Sequence, residues 1–198
     1  MNYLAHAYLS FDQEEILVGN MISDFVKGKK KFNYQAGIQK GITLHRAIDM
    51  FTDAHQITHE AKQYLKPAVG LYAGAFMDIV YDHFLANDKN EFADDASLFS
   101  FTKNTYSLLE KNVAVFPERF QMMFPHMKQH DWLYNYQFNF GMEKSFGGLV
   151  RRAKYLSDST EAFQIFEKEY DHFKKYYEIF FPELKNFAQQ QLQQMLAE

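Results

Sequence analysis

The sequence predicts an all-α protein: a single domain, residues 1–198, of seven to nine helices around one core. Apolar residues recur at spacings of three and four along most of the chain, and no run of strict alternation indicates a strand. Only 4 prolines and 9 glycines interrupt the chain, and we find no low-complexity linker and no internal repeat. With 198 residues, 47% of them hydrophobic, the chain can bury a substantial core without a stabilising cross-link.

The N-terminal half predicts three amphipathic helices. The first begins at a capping box opened by Asp12 and ends at Gly28. The second carries the apolar stripe of residues 44–51, and the third runs from about residue 68 to about residue 85.

The C-terminal half repeats this periodicity in five further stretches, which are residues 98–108, 132–140, 149–156, 163–180 and 184–195. The fourth stretch carries six aromatic residues at 3-4-3-4-3 spacing and is expected to end at Pro182. Such a stripe forms part of a core more often than a ligand pocket, so we interpret it as core. A pocket for an acyl chain or a pantetheine group is the alternative.

The composition excludes several classes of protein and of site. The chain has no cysteine, which rules out disulfides, a cysteine nucleophile and thiolate-bound metal centres. Its net charge of −4 disfavours a general nucleic-acid binder. The first residues do not have the pattern of a signal peptide, and no apolar run is long enough for a membrane span. We therefore expect a cytoplasmic protein that binds neither nucleic acid nor a membrane.

The most informative segment is GLYAGAFMDIVYDHFLAND, residues 70–88. As a helix it is apolar on nearly every side, with Asp78, Asp82 and His83 as the exceptions. Asp78 and Asp82 lie one turn apart on a face that should pack inward, and two buried like charges need compensation. A divalent cation between this helix and the helix of residues 44–51 would supply it. An ion pair with Arg46 is the structural alternative.

Other candidate ligands lie in the N-terminal half. His45, Asp49 and Asp53 follow one another at steps of four and form one polar strip on a helix. Asp24 lies in the last turn of its predicted helix, where a carboxylate opposes the helix dipole unless a cation faces it. His6 lies among apolar neighbours and is either a core histidine or a site residue. Imidazoles and carboxylates without thiolates suit Mn²⁺, Mg²⁺ or Fe²⁺, with zinc also compatible, and indicate a metal phosphohydrolase.

A basic segment, FVKGKKKF, follows Asp24 directly. Such a run is usually a solvated face, and the alternative is a docking site for an acidic partner. Its four lysines are Lys27, Lys29, Lys30 and Lys31.

Four segments within residues 1–87, in this order, resemble the acyl carrier protein phosphodiesterase family: NYLAHAYLS, VGNMISDFVKG, GITLHRAIDMFTDAH and MDIVYDHFLA. The family is distantly similar to the HD-type metal phosphohydrolases. Its members hydrolyse the phosphodiester that joins 4′-phosphopantetheine to a serine of acyl carrier protein. The resemblance therefore implies an HD-like all-α fold, a divalent metal that is usually manganese, and holo-acyl carrier protein as the substrate.

The resemblance also implies roles for individual residues. Arg46 would stabilise charge on the phosphoryl oxygens, and Asp53 or Asp78 would position the water or support a ligand histidine. His6 would protonate the serine oxygen. Asp53 lies two turns from His45, so Asp49 is expected to be a ligand and Asp53 a supporting group. The metal ligands would come from Asp24, His45, Asp49, Asp82 and His83.

Two other functions remain open from the sequence. One is an HD-like phosphohydrolase that acts on a nucleotide or another small phosphodiester. The other is a non-catalytic helical binding module whose carboxylates are paired structurally.

Overall fold

A computed structural model describes residues 1–197, which contain α-helices and short 3₁₀ helices but no strand. The predicted all-α class and single core are confirmed, although the predicted domain extends one residue beyond the described part. None of the helices in residues 1–197 has the length and apolar character needed to cross a membrane. The α-helices are α1 Tyr3–Tyr8, α2 Glu14–Ile22, α3 Ala36–Ala54, α4 Gln56–Val69, α5 Ala73–Ala86, α6 Asp95–Lys111, α7 Glu118–Gln129, α8 Trp132–Asn135, α9 Asn139–Val150, α10 Thr160–Lys168 and α11 Tyr170–Ala197. The 3₁₀ helices are Ser23–Phe25, Gly28–Asn33, Gly70–Tyr72 and Val113–Val115.

The described residues thus contain eleven α-helices, where the sequence predicted seven to nine. Helices α1, α4 and α7 were not predicted, and α1, with 6 residues, is too short for a periodic pattern to be recognised. The predicted stretch 132–140 contains α8 and the start of α9, whereas the predicted stretch 149–156 is helical only at its first two residues.

Helix α4 was not predicted, although Ile57, Ala61, Leu65 and Ala68 follow helical spacing. Its end also displaces the predicted start of α5, because Gly70 has a φ of +54° and separates the two helices.

Three predicted helix boundaries are wrong. Helix α2 ends at Ile22 rather than at Gly28, which instead begins the 3₁₀ helix Gly28–Asn33. Asp12 has a φ of +58°, outside the extended conformation of a helix N-cap, and α2 instead begins after Gln13 without a side-chain cap. Pro182 does not end the C-terminal helix but lies inside α11. The buried side chains of Phe181 and Leu184 hold α11 against the core on both sides of the proline.

The aromatic stripe is part of the core, as predicted. Phe166, Phe173, Tyr177 and Phe180 are all buried, with at most 3% of each residue exposed. They pack around α5, in which eleven of fourteen residues are buried. Helix α5 is therefore the central element, and α1, α4, α9 and α11 all contact it.

The close crossing of α2 and α3 determines the geometry of the site. A Cβ atom on Gly19 would collide with the backbone oxygen of Ile38, and one on Gly41 would collide with the backbone oxygen of Ile16. Glycine is required at both crossing points because only it lets the two backbones approach this closely. The crossing brings the end of α2 against the middle of α3, beside α1.

Candidate metal centre

Four of the predicted site residues meet where α1, α2 and α3 come together. The imidazole rings of His6 and His45 stack with their centroids 3.8 Å apart. The carboxylate of Asp49 bridges the Nε2 edges of the two rings, with Oδ1 3.2 Å from Nε2 of His6 and Oδ2 3.1 Å from Nε2 of His45. Asp24, in the 3₁₀ helix after α2, brings its Oδ1 to 3.2 Å from Nε2 of His45. The potential ligand atoms of His6, His45 and Asp49 all lie within 4.8 Å of one another, which is close enough to share one metal ion.

Asn20 orients both histidines. Its side-chain Oδ1 lies 2.8 Å from Nδ1 of His6, and its backbone oxygen lies 2.7 Å from Nδ1 of His45. The amide orientation is fixed because Nδ2 donates to the backbone oxygen of His6 and to Ser10 Oγ. Both oxygens are acceptors, so each Nδ1 carries a hydrogen and each Nε2 faces the carboxylates. Metal-binding histidines are typically held in this way, with the second ring nitrogen donating to an oxygen.

The charges of this cluster are strongly coupled. Burial and the neighbouring His45 together lower the pKa of His6 to about 4, against the opposing effect of Asp49. Burial also disfavours charge on His45, but its hydrogen bonds to Asp24 and Asp49 outweigh this effect and raise the pKa to about 9. Burial of Asp49 is likewise outweighed by the two histidines, which hold its pKa well below the usual range. At neutral pH the cluster therefore contains two ionised carboxylates, Asp24 and Asp49, a neutral His6, and a His45 that is positively charged because both of its ring nitrogens are protonated.

The residues of the cluster fit a divalent cation. Nε2 of His6 is buried and has no hydrogen-bond partner among residues 1–197, because Asp49 approaches within ion-pair distance but outside hydrogen-bond geometry. Its lone pair is directed at a carboxylate, which is unfavourable unless a cation lies between them. A bound cation would also take the place of the proton on Nε2 of His45, the ring nitrogen that faces the two carboxylates. Asp24 is 65% exposed, so the cluster opens to solvent on its side.

Asp82 has a different environment from the one that the sequence suggested. Its buried carboxylate accepts hydrogen bonds from the backbone N–H groups of Leu4 (2.7 Å), Asn2 and Ala5 (both 3.3 Å). These are the orphan donors at the N-terminus of α1, and the helix dipole favours a carboxylate there. Burial raises the pKa of Asp82 to about 7, and the backbone hydrogen bonds oppose that shift. Asp82 thus anchors the helix that carries His6.

His83 is not brought to the cluster. Its Nδ1 lies 2.7 Å from the backbone oxygen of Tyr136, and its Nε2 lies 3.0 Å from the hydroxyl of Tyr170. Both ring nitrogens are therefore used in hydrogen bonds to other parts of the core. Burial lowers its pKa to about 4, which keeps the ring neutral.

The other predicted site residues surround the cluster. Oδ1 of Asp78 lies 3.0 Å from the amino nitrogen of Met1, which is also 3.4 Å from Oδ1 of Asp49. Asp53 lies further along α3, is exposed and forms an ion pair with Lys62 at 3.0 Å. Arg46 donates from Nη2 to the backbone oxygen of Val26 at 2.8 Å and so holds the start of the basic segment.

The basic segment lies directly after Asp24 and forms the 3₁₀ helix Gly28–Asn33. Lys27, Lys29 and Lys30 are exposed. Lys31 is partly buried, and its ammonium group donates to Thr43 at 3.4 Å.

Asn20 is the site residue that the sequence reasoning missed. A signal was available, since Asn20 precedes Asp24 by one turn and is polar within an otherwise apolar helix face. Its role depends on the crossing of α2 and α3, which places its backbone oxygen against His45 and cannot be read from the sequence.

The chain was also compared with known proteins. It matches the family described as acyl carrier protein phosphodiesterase over residues 1–184. A relative with that name from Photorhabdus laumondii subsp. laumondii is 30% identical over 96% of both chains. Relatives with the same name from Pectobacterium atrosepticum and Klebsiella pneumoniae strain 342 are 31% and 28% identical, over 96% of this chain and 99% and 98% of theirs.

No solved structure matches the chain, so the HD-like character of the fold stays a prediction. The family match, by contrast, spans α1 to most of α11 and includes every residue of the cluster. The chain therefore belongs to the acyl carrier protein phosphodiesterase family.

Proposed function

We propose that this chain is a metal-dependent phosphodiesterase whose substrate is holo-acyl carrier protein. It hydrolyses the bond that joins the 4′-phosphopantetheine arm to the carrier serine and releases apo-acyl carrier protein. The observation that carries the proposal is the pair of stacked histidines, both oriented by Asn20 with their Nε2 atoms on Asp49. The family membership supplies the substrate.

In this proposal His6, His45 and Asp49 hold the ion, and Asp24 completes the set at the solvent side. The bound ion supplies a water of lowered pKa and neutralises charge on the phosphoryl oxygens. Asn20 holds both imidazoles in the tautomer that a ligand requires. This assignment moves His6 from the acid role expected from the sequence to a ligand role, because its Nε2 faces the cluster.

The remaining groups act around the ion. Arg46 lies one residue from His45, and its guanidinium donates to the backbone oxygen of Val26 in the loop after Asp24. In this proposal its other N–H groups contact a substrate phosphate. Asp78 and Asp49 share a cationic neighbour in the amino group of Met1, so Asp78 adds negative charge at the inner side of the cluster. In this proposal it positions the water rather than binding the ion.

Manganese is the metal that this set of residues favours in the proposal. Two imidazoles and two carboxylates combine nitrogen and oxygen donors, whereas Mg²⁺ prefers oxygen donors and retains its waters. Fe²⁺ is the alternative with similar preferences. The cytoplasm remains the expected compartment.

The direct test is incubation of the metal-loaded protein with holo-acyl carrier protein, followed by mass spectrometry of the carrier. We expect loss of the 4′-phosphopantetheine arm with Mn²⁺ and no loss after chelation. The His45→Ala variant is the matched negative control. An unchanged carrier together with rapid hydrolysis of nucleotide phosphodiesters would favour the small-substrate phosphohydrolase instead. Inactivity on both, in a protein that binds no metal, would favour the binding module.

A further inference from the structure

A cleft of about 650 Å³ opens between the start of α1 and the helices α7, α8 and α9. Small-molecule sites typically measure about 300–1,000 Å³, so the cleft has the size of a ligand site. Polar groups on its walls include Asn135 and Ser145. Its apolar walls are formed by Ile79, Met123, Trp132 and Tyr136.

The cleft adjoins the candidate metal centre through α1. Asn2 and Tyr3 line the cleft, and His6 lies about one helical turn, roughly 5 Å, beyond Tyr3. Burial and the charge of Asp24 raise the pKa of Tyr3 to about 12, against the opposing effect of Arg152. The phenol therefore lies within the field of both Asp24 and Arg152. A ligand in the cleft would pass Tyr3 to reach the metal centre.

The rim of the cleft is basic. Lys144, Arg151 and Arg152 line it, and no aspartate or glutamate does so among the described residues. Arg152 is exposed, its Nε donates to the backbone oxygen of Gly148 at 3.2 Å, and its guanidinium lies near the hydroxyl of Tyr3, which leaves most of its five N–H groups unused. Its guanidinium therefore remains available to an anionic group.

We infer that this cleft binds the 4′-phosphopantetheine arm, with Arg152 contacting the phosphate beside the metal centre and the apolar walls covering the neutral chain. The inference rests on the proposed function and assigns a binding site for its substrate. The arm carries its charge at one end only, and the rest is a neutral chain with methyl and amide groups. The cleft matches this order, because Tyr3 at its α1 edge feels the charges of both Asp24 and Arg152, and its walls offer apolar surface with amide and hydroxyl partners.

Trp132 makes the inference directly measurable, because it is the single tryptophan of the chain and lies in the cleft. The experiment titrates free 4′-phosphopantetheine, and separately pantetheine without the phosphate, into the Mn²⁺-loaded protein. Calorimetry measures binding, and tryptophan fluorescence reports occupancy of the cleft. The variants are Arg152→Gln, Ser145→Phe to fill the cleft, and Arg119→Gln as a control, since Arg119 is exposed on α7 and does not line the cleft.

We expect 4′-phosphopantetheine to bind the wild type and to change the emission of Trp132. Arg152→Gln should weaken that binding about tenfold or more, as the loss of a charge-assisted hydrogen bond implies, and should leave pantetheine binding unchanged. Ser145→Phe should weaken both ligands, and Arg119→Gln should match the wild type. Because Arg152 is exposed, its variant keeps the test valid even if Ser145→Phe fails to fold.

Two results would overturn the inference: no binding of 4′-phosphopantetheine to the wild type, or binding that neither cleft variant weakens. Turnover of holo-acyl carrier protein by the wild type separates this failure from failure of the proposed function. If turnover is retained while the cleft variants keep the wild-type KM, the function stands and the cleft assignment falls. If turnover is absent but 4′-phosphopantetheine binding is lost in both variants, the cleft assignment stands and the proposed reaction falls.

Discussion

Asn20 is the residue on which the geometry of the candidate centre depends most. Each of its two oxygens holds one imidazole, and its amide nitrogen holds the backbone of α1 and Ser10. We predict that Asn20→Ala lowers Mn²⁺ affinity by about 10- to 100-fold, the usual cost of losing a partner that orients a ligand histidine. Calorimetric titration of Mn²⁺ measures it. Ser10→Ala is the control, because it removes a bond to Asn20 without touching either ring, and a folded Asn20→Ala with wild-type affinity would refute the role.

His83 offers a pH-dependent prediction that separates it from the centre. Burial lowers its pKa from 6.5 to about 4, so folding opposes its protonation. Its contribution to stability is present above pH 6.5 and is lost as the pH falls towards 4, at about 1.4 kcal/mol per pKa unit. The stability difference between the wild type and His83→Gln should therefore shrink as the pH falls from 7 to 4. Urea unfolding of the metal-free proteins measures it, and Mn²⁺ affinity should be the same in both. A large loss of affinity in His83→Gln would return the residue to the ligand set.

At the scale of elements, helix α1 is too short to be stable by itself and depends on Asp82. The carboxylate accepts three backbone N–H groups at the start of this six-residue helix. We predict that Asp82→Asn lowers the free energy of unfolding of the metal-free protein by about 1–3 kcal/mol, because one of its two acceptor oxygens becomes an NH₂ group, which cannot accept a backbone N–H. Urea unfolding in the presence of a chelator measures it. Asp82→Asn would instead be more stable without metal if the only role of Asp82 were to bind a cation.

The 3₁₀ helix Gly28–Asn33 is the element proposed to meet the carrier protein, since acyl carrier proteins are in general strongly acidic. Arg46 fixes its start next to Asp24, and its exposed lysines extend the basic surface away from the centre. We predict that Lys29→Glu/Lys30→Glu slows association with holo-acyl carrier protein at low salt and that the effect shrinks at 1 M salt, where the Debye length is about 3 Å.

Stopped-flow association kinetics test this prediction. The control is Lys174→Glu/Lys175→Glu, which makes the same charge change on an exposed face of α11. Equal slowing by both double variants would indicate a general effect of net charge, and an unchanged rate in the first would make the segment a solvated face.

At the scale of the whole molecule, the sequence was sufficient for the helical class and for the residues of the cluster. Periodicity alone identified the core stripe of α10 and α11. Helical spacing separated Asp49, which lies inside the cluster, from Asp53, which pairs with Lys62 outside it. What could not be predicted depends on contacts between elements. The partner of Asp82 is a set of backbone N–H groups nearly 80 residues away, and an amide donor leaves no signal in sequence spacing. His83 shares a helix with Asp82, but only the packing of α8 and α11 shows where its ring points.

The central claim is that one ion is held by His6, His45 and Asp49, which joins α1 to α3. Mn²⁺ titration of Asp49→Asn and Asp53→Asn tests it most directly, because both variants make the same chemical change on the same helix. We expect Asp49→Asn to lower Mn²⁺ affinity by about 10-fold or more and Asp53→Asn to bind like the wild type. Wild-type affinity in Asp49→Asn, with a loss confined to Asp53→Asn, would contradict the account and move the ion away from the histidine pair.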